Sequence, residues 1–130
     1  MLVVHDCLPP NAAVAAPGCV PGEWSGVTYK AYLDFVYERR LDYCTVDTDY
    51  GCGIIRKLDR RSRWARVLRM IDTSFFDPSS QRRADRQQHK LLWREWRGIG
   101  NDFERAFGFL EKHKKDLLNL ISSDEFLGTL

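Results

Sequence analysis

The sequence predicts an all-α or mainly α protein: a single domain over residues 1–130, built as a bundle of four to five helices behind an irregular Pro/Gly-rich arm at 1–25. Three observations predict it. Apolar residues recur at spacings of three and four in several separate stretches, the period of a helix with one buried face. Residues that cap helices stand at the starts of most of those stretches. A chain of 130 residues with 44% apolar content, including 4 Trp, 5 Tyr and 7 Phe, is long enough for one core without help from metal or disulfide.

The arm holds Pro9, Pro10, Pro17 and Pro21 with Gly18 and Gly22. Each proline removes a backbone donor and restricts the residue before it, which excludes helix over most of the stretch. Leu2-Val3-Val4 reads as a short strand or an apolar plug. The helical body, 26–130, starts with Ser25 or Thr28 as N-cap. Tyr29, Tyr32, Leu33, Val36, Tyr37 and Leu41 then gather on one face, and Lys30, Asp34, Glu38 and Arg39 fall mostly on the other. Residues 43–53 collect Asp47, Asp49, Gly51 and Gly53 and read as a loop. They do not make an EF-hand, because the next acid after Asp49 is Asp59. Ile54-Ile55 opens an apolar stretch that starts a helix or forms a short strand, with a break near 59–62.

Ser62 is placed to cap a helix whose apolar face is Trp64, Val67, Leu68 and Ile71. Asp77-Pro78 is an N-cap followed by proline at the first helical position. The helix it opens is polar at first, turns apolar at Leu91, Leu92, Trp93 and Trp96, and stops at Gly98-Ile99-Gly100. Asn101 with Glu104 makes an Asn form of the capping box. Phe103, Ala106, Phe107, Leu110, Leu117, Leu118 and Ile121 trace the next stripe, interrupted at Lys114. Ser122-Ser123-Asp124-Glu125 restarts a short terminal helix with Phe126 and Leu127.

The net charge of +2 hides an uneven layout. Residues 1–55 carry net −4, residues 56–97 net +8, and residues 98–130 net −2. Fourteen of the twenty cations are arginine, whose planar fork of donors suits phosphates and carboxylates. A basic middle between acidic flanks points to an anionic partner. The expected partner-binding residues are Arg60, Arg61, Arg63, Arg66, Arg82, Arg83, Arg86, Arg94 and Arg97, and Trp64, Trp93 and Trp96 interleave with them.

Other chemistries find less support. His5, Cys7, Cys19, Cys44 and Cys52 are enough donors for one zinc, but their separations suit no common zinc site. The cysteines read as reduced thiols acting as small hydrophobes, and neither metal nor cofactor is expected. No Gly-x-Ser-x-Gly or Walker loop is present. Arg83 and His89, separated by five residues, resemble the Arg–x(4–6)–His signature of HEPN-type ribonucleases, small helical bundles that cleave RNA. The resemblance implies an arginine that steadies phosphate and a histidine in acid–base chemistry. It covers those two positions alone, and Ala84 stands where that family has a polar residue. A Tyr-rich helix face, Tyr29, Tyr32 and Tyr37, offers a further reading as a protein–protein adaptor.

The N-terminus lacks the basic start and long apolar stretch of a secretory signal, so the chain is expected to be cytoplasmic. The leading expectation is a non-catalytic binding or regulatory protein. Its segment 56–97 would engage nucleic acid or an acidic protein surface.

Overall fold

The computed structural model describes residues 1–19, 21–39, 41–56 and 80–128, with the backbone alone for 80–87. The expectation of an all-α helical bundle is overturned. The described residues form an α/β mixture of four helices and a four-stranded mixed sheet. The strands are β1 (Leu2–Val4), β2 (Asp42–Val46), β3 (Cys52–Arg56) and β4 (Leu120–Ile121). The helices are α1 (Thr28–Glu38), α2 (Ser80–Ile99), α3 (Phe103–Leu118) and α4 (Ser123–Leu127).

The sheet runs β1-β3-β2-β4. Strands β1 and β2 are antiparallel to β3, pairing Val3 with Ile54 and Cys44 with Ile54. Strand β4 lies parallel to β2, setting Thr45 beside Leu120. The stretch expected as a loop at 43–53 is thus a hairpin, and only Asp47–Gly51 turns. That turn is held by Gly51 N–H donating to Thr48 O at 2.7 Å, with Gly51 at φ +78°. Ile54-Ile55 belongs to a strand, and Leu2–Val4 takes the strand alternative. The hairpin hides from a periodicity reading because both of its faces are covered: Thr45 and Val46, on opposite faces, are each buried. Strands covered on both sides lose the alternation that announces them.

One face of the sheet carries Tyr43, Thr45, Gly53 and Ile55. Ile55 joins Tyr29, Tyr32, Leu33, Val36, Leu92, Trp93, Trp96, Phe107, Leu110 and Leu117 in one apolar core. Tyrosine hydroxyls tie the layers together. Tyr29 donates to Phe103 O, Tyr32 to Cys44 O and Tyr43 to Leu117 O. The arm adds Cys7 and Ala15 to the core, and Cys7 N–H and Leu8 N–H donate to Gly51 O and Tyr50 O.

The helix limits shift locally from expectation. Helix α1 starts after Val27, which makes no side-chain cap, and the Thr28 hydroxyl donates to Ser25 O. Helix α2 ends at Ile99 as expected, with Gly100 at φ +63°. Asp102, not Asn101, caps α3, accepting from Arg105 N–H at 3.1 Å. A kink at His113 leaves Lys114 exposed while Leu110 and Leu117, in phase with it, stay buried. Asn119, in the left-handed region at φ 47°, ends α3, so Ile121 leaves the helical stripe and enters β4. The short terminal helix α4 forms as expected, and Ser122 and Glu125 close a capping box at its start. The helix expected from Ser62 and the Asp77-Pro78 cap lie outside the described residues. Among the described residues, no helix is long and apolar enough to cross a membrane.

Candidate functional site

Helix α2 is amphipathic with a twist of roughly 100° per residue. Leu92, Trp93, Trp96 and Ile99 are buried, and they define its inner face. Positions 83, 86, 90, 94 and 97 follow one another at three, four, four and three, so Arg83, Arg86, Lys90, Arg94 and Arg97 form a row. The row spans about 21 Å along the helix and stays within about 80° around it. It holds no acidic position. Lys90, Arg94 and Arg97 are exposed, and no carboxylate lies within ion-pair distance of them among the described residues.

Of the arginines expected to bind, Arg94 and Arg97 are therefore on the surface and in this row. Arg83 and Arg86 belong to it by helical position, with side chains outside the described residues. Position 82 is in helical phase with 89, 93 and 96, not with the row; the Arg82 side chain lies outside the described residues. Arg60, Arg61, Arg63 and Arg66 lie outside the described residues. Lys90 was not among the expected site residues. Applying to cations the three-and-four spacing used for apolar residues would have found it.

Beside the row, α1, β2 and α2 enclose a cleft of about 510 Å³. Its walls include Val36, Leu41 and Tyr43 on the apolar side, Tyr37 and Trp93 as an aromatic pair, and Glu38, His89, Lys90 and Arg97 as polar groups. Tyr37 and Trp93 stack at 4.2 Å and 16°. Trp93 is 2% exposed, so it backs Tyr37, which is half-buried, and does not itself face solvent. Trp93 Nε1–H donates to His89 Nε2 at 3.2 Å, which engages that lone pair and leaves Nδ1 to carry the proton of the neutral ring. Burial pushes the Tyr43 hydroxyl above its ordinary ionisation range, keeping it a neutral donor to Leu117 O.

The ribonuclease-like pair does not share a face. Positions 83 and 89 are six residues apart in one unbroken helix, which sets them about 120° apart around its axis. His89 Nε2 accepts from Trp93 Nε1–H, and the Arg83 side chain lies outside the described residues. Tyr29 and Tyr32 are 0% and 3% exposed and serve the core, leaving Tyr37 as the residue of that face that reaches a cleft. Cys7 is buried, Cys44 and Cys52 are half-buried and Cys19 is exposed. Among the described residues no three His, Cys, Asp or Glu side chains gather as a metal site. Burial pushes the Cys7 thiol up to about 12, which makes it an inert core residue. No family model matches the chain, and no curated protein or solved structure matches it either.

Proposed function

We propose that this is a non-catalytic binding protein that engages an anionic macromolecule through the cationic face of α2. The observation that carries the reading is the row Arg83, Arg86, Lys90, Arg94 and Arg97 on a single helix face. Cations that already had carboxylate partners would be structural. Lys90, Arg94 and Arg97 have none among the described residues and remain available to a ligand. Five cations in register over about 21 Å suit a linear array of negative charge better than a single small anion.

Salt titration tests it. The full chain should bind labelled polyanions with an affinity that falls steeply as salt rises, because each phosphate or carboxylate contact releases counterions. Replacing Arg94 and Arg97 by Gln should lower the slope of log affinity against log salt by about one for each residue. Thermal stability should change by no more than about 0.5 kcal/mol, as is usual for exposed positions. Labelled RNA incubated with the protein should remain intact. The reading fails if the double variant binds as the parent does, with the same salt slope.

A further inference from the structure

The cleft beside the row is placed to do more than attract charge. Lys90 and Arg97 belong to both features: each is a member of the cationic row, and each lines the cleft. A polyanion lying along α2 therefore passes the cleft mouth. The cleft volume falls in the range of small-ligand sites, roughly 300–1,000 Å³. Its apolar wall of Val36, Leu41 and Tyr43 suits a flat, uncharged group rather than a second charge. Tyr37 supplies a half-buried ring that lines the cleft and is held in place by its stack on Trp93 at 4.2 Å. The Glu38 carboxylate and the His89 ring are the polar groups at hand for the edge of such a ligand.

Resting on the reading above, we infer that the anionic partner is single-stranded nucleic acid, with phosphates along Lys90, Arg94 and Arg97 and one unpaired base in the cleft against Tyr37. Aromatic stacking with adjacent cations is how single strands are held without sequence readout. A duplex keeps its bases stacked and cannot offer one to the cleft. An acidic protein surface has the charge but no obligatory planar group next to it.

The experiment compares four labelled probes on the full chain at matched salt. They are a short oligothymidine, an abasic strand of the same length, the duplex of oligothymidine with oligoadenine, and polyglutamate of equal charge. The oligothymidine should bind about tenfold more tightly than the abasic strand, the size expected for one base stacked on an aromatic ring. Both strands should show similar salt slopes, since the phosphates are the same. Tyr37→Leu should abolish that tenfold preference and leave abasic binding unchanged, while Tyr37→Phe should keep it. The abasic comparison uses the unaltered protein, so it decides the matter even if Tyr37→Leu fails to fold. Equal binding of oligothymidine, abasic strand and duplex would overturn the inference and leave the anionic-partner reading intact. Binding of polyglutamate with no binding of any nucleic acid would do the same. If none of the four probes binds in a salt-dependent way, the anionic-partner reading itself falls.

Discussion

Asp34 joins two helices through both of its oxygens. It accepts from Trp96 Nε1–H at 2.8 Å and from Lys30 Nζ at 2.7 Å. Lys30 is 7% exposed and its ammonium sits 5.5 Å from the Trp96 ring. The sequence puts Lys30 on the polar side of α1, whereas in the structure it is buried. Trp96 of α2 packs over that side and encloses the lysine. Asp34→Ala should cost about 2 kcal/mol, below the full cost of breaking a buried pair because the Asp34 side chain is 42% exposed. Adding Lys30→Met should recover part of that loss by removing the stranded charge. Chemical denaturation of the three proteins measures both effects; a change within about 0.5 kcal/mol for Asp34→Ala would mean water replaces the carboxylate.

At the scale of elements, the β2–β3 hairpin and α1 approach each other closely at one place. A Cβ on Gly53 would stand 2.6 Å from the Tyr32 ring and 2.8 Å from Cys7 Sγ. Glycine is what lets strand β3, helix α1 and the arm share that point. Gly53→Ala should destabilise by about 1–3 kcal/mol, the usual range for overpacking a filled core. Gly108→Ala on α3, where an added Cβ meets nothing within 4 Å, should stabilise slightly or be neutral. A thermal melt in which both variants behave alike would show that the contact at Gly53 relaxes freely. The hairpin was poorly legible in the sequence because its glycines and aspartates read as loop. In the structure, Gly51 serves the turn, whereas Gly53 sits inside a strand to admit Tyr32.

The core of the whole molecule sets its response to alkali. Burial raises the Cys7 thiol from its ordinary 9.0 to about 12 and the Tyr29 phenol from 10.0 to about 12. It raises Tyr32 and Tyr43 as well. Each of these acids ionises more readily in the unfolded chain than in the folded one. Above pH 9 the unfolded state therefore holds fewer protons, and stability falls as pH rises. Melting temperature should hold level below about pH 9 and decline above it. Cys7→Ala should flatten the first part of the decline, between the ordinary thiol and phenol values. An unchanged profile in that variant would show that Cys7 ionises in the folded protein too.

The sequence by itself determined the buried sides of α1, the end of α2 and most of α3, because helical periodicity is written within a few residues. Tyr29, Leu33, Val36, Trp93, Trp96, Phe107 and Leu117 all lie where their spacing places them. The glycine stop of α2 and the short terminal helix α4 were legible for the same reason. Half of the candidate site was legible too: the excess of positive charge in the middle segment is composition, but its sorting into a row needed the continuous helix of α2. Only the tertiary structure decided the sheet, since Leu2 meets Ile55 and Thr45 meets Leu120 across long stretches of chain. It alone decided that Tyr37 and His89 share one cleft, and that Lys30 is enclosed. Local spacing fixes which side of an element is apolar; which distant element covers that side depends on how the whole chain closes its core.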